Sequence, residues 1–94
     1  MPLFMLACFD KPNSLDLRMA TREAHLAYVR EHIAAVKVAG PMLDEAQAMA
    51  GSLFILDVAD LAAAKAFNAA DPYQLAGVFE RVEVRGFRAT IGSV

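Results

Sequence analysis

The sequence predicts an α+β domain of the ferredoxin-like type, with the element order β-α-β-β-α-β. Two observations lead to this prediction. Pro2–Phe9 and Ser52–Val58 read as strands that are apolar on both faces, whereas the last strand, Phe79–Phe87, alternates between apolar and charged residues. In a ferredoxin-like sheet the first and third strands are central and the other two are edges, which matches this distribution.

The first strand, Pro2–Phe9, ends at the turn residues Asp10–Ser14. A long helix follows, and the sequence predicts that it starts near Leu17 or Thr21 and ends at Val38. Three residues are candidates for its N-cap: Ser14, Asp16 and Thr21. At helical spacing one side of this segment is apolar, through Leu26, Val29, Ile33 and Val36.

Ala39-Gly40-Pro41 is expected to break this helix, because proline removes a backbone donor and glycine disfavours the helical state. A short extended piece, Pro41–Asp44, is the expected second strand. Glu45–Gly51 reads as a loop or hairpin connection to the third strand, Ser52–Val58.

The second half of the chain contains an alanine-rich helix, Leu61–Ala70, which Asp60 is placed to cap. Its small side chains would let it lie close to a sheet. Asp71 is then placed to cap a second, short helix that begins at Pro72, since proline suits the first helical position. Gly77 allows the sharp turn into the last strand.

The composition favours a single domain over residues 1–94 that forms an oligomer. Hydrophobic residues make up 57% of the 94 residues and charged residues only 21%. Helices can cover one face of the predicted sheet only, so the other face of the central strands needs a cover. We therefore expect a homodimer built by packing of two sheets, or a higher homo-oligomer that contains it.

The net charge and the cysteine content exclude several classes of partner and of metal site. The net charge is −2 and no basic stripe is present, so nucleic acid is not expected as a partner. Neither a signal peptide nor a membrane-spanning segment is recognised, so a cytoplasmic protein with no membrane contact is expected. The lone cysteine, Cys8, excludes an internal disulfide and a multi-cysteine metal site, and its place in a central strand indicates an inert buried thiol.

His25 and Asp71 are the candidate catalytic residues. An imidazole can exchange a proton near neutral pH, and a carboxylate on its other nitrogen fixes the tautomer and stabilises the charged form. Other side chains are candidates for substrate binding: Tyr73 as a hydrogen-bond donor, Arg22 for an anionic group, and Ser52 through its hydroxyl. An apolar wall is expected from Phe4, Met42 and Phe54.

Each of these residues also has a purely structural interpretation. Asp71 is placed to be a helix cap, and His25 by itself would be a helix-border residue with local hydrogen bonds. Arg22 could pair with Asp71 or with another acid. His32 is expected at the surface or in an interface, because two histidines without a third ligand make a poor metal site.

Several motifs together resemble the YciI-like (YCII-related) family. They are Arg22 with His25-Leu26 at the start of the first helix, Ala39-Gly40-Pro41, Gly51-Ser52, and the block from Asp71 to Glu80 (Asp-Pro-Tyr, then Ala-Gly-Val-Phe-Glu). The resemblance extends from about Leu3 to Phe87.

This resemblance implies a dimeric α+β barrel of ferredoxin-like subunits, related to muconolactone isomerase, with a histidine–aspartate pair that corresponds to His25 and Asp71. One relative is a dehydrochlorinase that acts on a chlorinated hydroxyhydroquinone. The sequence departs from the family at Ala34–Val38, where many relatives carry a glycine that ends the first helix. A longer or differently shaped helix end is therefore expected here.

Three functional hypotheses follow. The leading one is an enzyme without a cofactor or metal that uses His25 and Asp71 for acid/base chemistry of the lyase, isomerase or dehydrohalogenase type on a small aromatic or enolisable molecule. The second is a non-catalytic module that binds a small ligand or a partner protein. The third, prompted by related dimeric barrels, is a metal or haem site.

Overall fold

A computed structural model describes residues 2–94 and confirms the predicted α+β ferredoxin-like fold. Four strands form one antiparallel sheet in the order β2-β3-β1-β4, so β1 and β3 are central, as predicted. The elements in chain order are β1 (Leu3–Asp10), α1 (Leu15–Glu31), β2 (Val36–Leu43), β3 (Met49–Asp57), α2 (Leu61–Ala69), α3 (Pro72–Leu75) and β4 (Phe79–Phe87).

The end of α1 differs from the prediction. The helix stops at Glu31 rather than Val38, and a single 3-10 turn over Ile33–Ala35 leads directly into β2. The predicted apolar stripe was therefore wrong at Ile33, which is exposed, and at Val36, which lies in β2. Residues 36–43 instead pair with β3, and this ladder provides their backbone groups with hydrogen-bond partners.

Gly40 and Pro41 therefore lie inside a strand and do not break a helix. A proline is tolerated there because β2 is an edge strand, where a missing N–H need not interrupt a ladder. The helix end, expected to be longer or differently shaped, is not longer; it continues into the 3-10 turn. The connection to β3 is a tight turn, in which the Asp44 carboxylate accepts from the backbone N–H groups of Ala46 and Ala48.

The second half of the chain follows the prediction closely. Asp60 caps α2 by accepting from the N–H of Ala63, and Pro72 occupies the first turn of α3. Gly77 adopts a φ of 81°, a left-handed conformation that favours glycine, at the turn into β4.

The core lies between the helices and one face of the sheet. Leu6 and Cys8 of β1 and Phe54 and Leu56 of β3 are buried there against Phe67 of α2 and other apolar side chains. The Tyr28 hydroxyl donates to the backbone carbonyl of Phe67 at 2.7 Å, which fixes α1 against α2. No helix in residues 2–94 has both the length and the apolar character that a membrane span requires.

Candidate active site

His25 and Asp71 are in direct contact. The Nδ1 atom of His25 lies 2.8 Å from Oδ1 of Asp71, although 46 positions separate the two residues in the chain. Only 8% of His25 and none of Asp71 is exposed. A buried carboxylate needs hydrogen bonds to offset its lost hydration, and His25 provides one of them.

The local fold explains why Asp71 reaches this position. It is the N-cap of α3, and its Oδ1 accepts from the backbone N–H of Tyr73 at 2.9 Å. Pro72 at the first position of α3 sets the backbone for this short helix. The helix-cap interpretation of Asp71 is therefore confirmed, and the oxygen atom that caps α3 also contacts His25.

This geometry determines the tautomer of His25. A carboxylate only accepts hydrogen bonds, so the proton of the neutral ring belongs on Nδ1, facing Asp71. The other nitrogen, Nε2, then carries a lone pair and has no hydrogen-bond partner among residues 2–94. His25 lines a cavity, so this lone pair is available to a bound molecule.

The cavity lies between α1, β2, β3 and α3 and has a volume of about 160 Å³. All five predicted site residues except Asp71 line it, and Asp71 supports the wall from behind through His25. Of the expected apolar residues Phe54 lines the cavity, whereas Met42 and Phe4 do not. Leu26, Val29, Pro41 and Met49 complete the apolar part of the wall.

Arg18 and Asp10 also belong to the site, although neither was predicted from the sequence. Arg18 lines the cavity, is 2% exposed, and donates to the Asp10 carboxylate through Nε at 2.7 Å and Nη2 at 3.0 Å. Its Nη2 also donates to the hydroxyl of Ser52 at 2.8 Å. One signal was present in the sequence: Arg18 precedes His25 by seven residues, which places both on one side of a helix.

Tyr73 connects the two parts of the site. Its ring stacks on His25 with centroids 4.0 Å apart and an interplanar angle of 16°. The guanidinium carbon of Arg18 lies 4.4 Å from the centroid of the same ring. Burial raises the pKa of the Tyr73 phenol, although the nearby Arg18 charge lowers it, so this side chain stays protonated at neutral pH and can donate a hydrogen bond.

Arg22 lies on the cavity wall but is exposed, and it does not pair with Asp71. Within residues 2–94 it forms no ion pair. Its charge is therefore available at the cavity wall.

The remaining candidates lie away from the cavity. His32 is exposed and its Nδ1 is 2.9 Å from the backbone carbonyl of Tyr28, which confirms the predicted surface position. Cys8 is buried as predicted, and burial is the main reason that its pKa is raised to about 12. In the described part of the chain, no three His, Cys, Asp or Glu side chains are grouped to hold a metal ion, so the metal hypothesis finds no support there.

Comparison with known proteins adds one similar structure with a known ligand. The chain is 31% identical to the 5-chloro-2-hydroxyhydroquinone dehydrochlorinase TftG from Burkholderia phenoliruptrix AC1100, solved in complex with 2,5-dihydroxybenzoquinone. The two structures superpose with a TM-score of 0.85, over 92% of this chain and 93% of the dehydrochlorinase. An antibiotic biosynthesis monooxygenase, 15% identical with a TM-score of 0.58 over 97% of this chain and all of the other, shares the fold alone.

Sequence relatives agree with this similarity. The chain is 37% identical to the protein YciI of Escherichia coli O6:H1, over 92% of this chain and 96% of the relative. It is 38% identical to an uncharacterized protein of Haemophilus influenzae, over 90% and 95% of the two chains. The family model of the YCII-related domain matches residues 2–88. The chain therefore belongs to the YCII-related family.

Proposed function

We propose that this chain is an enzyme that needs no cofactor, in which His25 moves a proton on a small aromatic or enolisable substrate. The observation that carries the proposal is the 2.8 Å hydrogen bond between His25 Nδ1 and Asp71 Oδ1 at the wall of a cavity. It leaves the basic Nε2 atom for the substrate and fixes the plane of the ring.

The reaction begins when Nε2 takes a proton from a carbon or an oxygen of the substrate. The electron pair left behind forms a new double bond. In a lyase or dehydrohalogenase, this expels a leaving group such as chloride, and the imidazolium then gives its proton to water; in an isomerase, the imidazolium returns the proton at another atom of the substrate. Asp71 stabilises the imidazolium between these steps, because the negative carboxylate is already in contact with the ring.

The substrate class is supported by the cavity and by the similar dehydrochlorinase. Phe54, Leu26 and Val29 provide apolar walls, while Tyr73, Ser52 and Arg22 provide donors for oxygen atoms. A ring with oxygen substituents, such as the quinone bound to the dehydrochlorinase, meets both requirements.

Turnover of a panel of compounds tests the proposal. Chlorinated hydroxyhydroquinones and enolisable lactones are incubated with the protein, and chloride release and ultraviolet absorbance are followed. His25→Gln and Asp71→Asn should each lower the rate on any accepted compound, by about a hundredfold or more for His25→Gln. His32→Gln is the matched control, because His32 is the C-cap of the same helix but lies outside the cavity, and it should keep the wild-type rate.

Unchanged rates in both site variants would overturn the proposal. Tight binding of a panel compound with no turnover by the wild-type protein would also overturn it, and would favour the small-ligand-binding module instead.

A further inference from the structure

The Arg18 guanidinium is held in one orientation. Its Nε and Nη2 atoms donate to both oxygens of Asp10, and the group is almost completely buried. A bidentate pair of this kind fixes the plane of the guanidinium as well as its position. Because Nη2 also donates to Ser52 at 2.8 Å, the Ser52 hydroxyl is fixed too.

The Ser52 hydroxyl is left as a hydrogen-bond donor that faces the cavity. Its oxygen already accepts from Arg18, and a hydroxyl has one proton of its own to donate. No acceptor for that proton is found among residues 2–94, and Ser52 is part of the cavity wall. Water or a molecule bound in the cavity would supply that acceptor, since an unmade hydrogen bond of a buried group is costly.

The charges around the cavity favour a negative ligand. Asp10 balances Arg18, and Asp71 faces His25, so both carboxylates of the site are already engaged. Within residues 2–94 no carboxylate lines the cavity itself, whereas Arg22 adds a positive charge without an ion-pair partner. An oxyanion near Ser52 would accept a hydrogen bond from a hydroxyl that Arg18 polarises. The positive charge of Arg22 would stabilise it further.

The cavity has room for about one ring. Its volume of about 160 Å³ is close to that of engineered apolar cavities of about 150 Å³ that bind benzene. Phe54 and Val29 supply apolar surface for such a ring.

We propose that Arg18, Ser52 and Arg22 form an oxyanion site, so that the ligand is a planar molecule of about one ring that carries an ionised phenol or enol oxygen. This inference rests on the proposed function, because it names the substrate class of the same cavity. Ser52 touches the oxyanion, and Arg18 is a positioning residue that acts through Ser52. When His25 removes a proton, the negative charge that develops on the substrate oxygen is stabilised there.

4-Nitrophenol is a suitable probe, because it ionises near neutral pH and only its phenolate absorbs strongly in the visible range. The absorbance of the bound probe is followed against pH. The apparent pKa of bound nitrophenol should be about one unit below that of the free probe, which means that the phenolate binds about tenfold tighter than the phenol. This readout needs no turnover.

Variants identify the source of the effect. Ser52→Ala should abolish most of the decrease in the pKa of bound nitrophenol. Arg18→Lys, which keeps the charge but loses the bidentate geometry, should make this decrease smaller. Ser14→Ala is the matched control, since Ser14 is a buried serine outside the cavity wall, and it should behave as wild type.

The proposal is overturned if nitrophenol fails to bind at millimolar concentration, if its pKa is unchanged or raised on binding, or if the lowering persists in Ser52→Ala. His25→Gln separates this result from the proposed function. That variant should lose turnover and keep the Ser52-dependent preference for phenolate, whereas full turnover in His25→Gln would overturn the proton-transfer role alone.

Discussion

A single carboxylate oxygen supports both the local fold and the candidate chemistry. Asp71 Oδ1 accepts from the backbone N–H of Tyr73 and from the ring of His25, whereas Asp71 Oδ2 is buried without a hydrogen-bond partner among residues 2–94. The carboxylate is therefore stabilised through one oxygen. This makes Asp71 sensitive to any change of His25, and it ties the orientation of the ring to the start of α3.

Cys8 gives a prediction for alkaline pH. Burial, and to a smaller extent the charge of Asp71, raises its pKa from 9.0 to about 12. Between these values the unfolded chain releases the thiol proton while the folded protein keeps it, so the free energy of unfolding must fall as the pH rises. The free energy of unfolding should lose about 3 kcal/mol from this group by about pH 11.

Urea unfolding of the wild type and of Cys8→Ala, repeated from about pH 8 to about pH 11, measures this loss. The Tyr28 and Tyr73 phenols, whose pKa values are also raised by burial, contribute equally to both proteins and cancel in the difference. The difference in free energy of unfolding between the wild type and Cys8→Ala should become smaller as the pH rises. A gap that stays constant would contradict the assignment.

The sequence predicted His25 and Asp71 but not Arg18 and Asp10, and the difference has a physical cause. The first pair was recognisable from residue chemistry and from motifs that match a family. Arg18 looks like one more charge on a solvated helix, and its burial depends on Ser52, 34 positions away, and on Asp10 at the end of a strand. Only the packed sheet brings these partners together.

At the level of elements, β2 shapes the cavity. Because α1 ends at Glu31, the segment Val36–Leu43 is long enough to pair along most of β3, and this brings Ala39, Gly40 and Pro41 onto the cavity wall. The sequence could not predict this, since Ala34 and Ala35 favour a helix. Pairing with β3 outweighs that local preference.

Gly51 of β3 is a position where only glycine fits. A Cβ atom there would lie 2.5 Å from the backbone oxygen of Cys8 and 2.5 Å from Cε of Met42. The methionine can move but the backbone of a central strand cannot, so Gly51→Ala should destabilise the protein by about 1–3 kcal/mol. Gly40→Ala in the neighbouring strand is the matched control, because a Cβ there meets nothing within 4 Å.

Chemical denaturation of the two variants measures the difference. Gly40→Ala should stay within about 1 kcal/mol of the wild type. Equal stability of the two variants would show that β1 and β3 approach less closely at Gly51 than described.

At the level of the whole molecule, the helices cover one face of the sheet and leave the other open. Alternation along the strands places Met5, Ala7 and Phe9 of β1 and Leu53 and Ile55 of β3 on this open face. The fold and its strand order were predictable because topology and hydrophobicity agree: the two central strands are the ones that are apolar on both sides. The homodimer stays a prediction drawn from the same pattern.

Leu53→Asp tests the homodimer. Leu53 is 38% exposed at the centre of the open face, and a charge there would have to be buried between two sheets. Sedimentation at micromolar concentration should show a dimer for the wild type and a monomer for Leu53→Asp. Leu75→Asp, at a leucine of α3 that is 73% exposed, should remain a dimer. A wild-type protein that sediments as a monomer would contradict the predicted homodimer.

The central claim is that Asp71 holds His25 with its Nε2 lone pair directed to a ligand. Nitrogen-15 NMR of the imidazole rings, at a pH where they are neutral, tests it most directly. The expected spectrum shows His25 protonated at Nδ1 and unprotonated at Nε2, and Asp71→Ala should change the His25 signals while those of His32 stay the same. A His25 ring protonated at Nε2, or one that does not respond to Asp71→Ala, would contradict the claim.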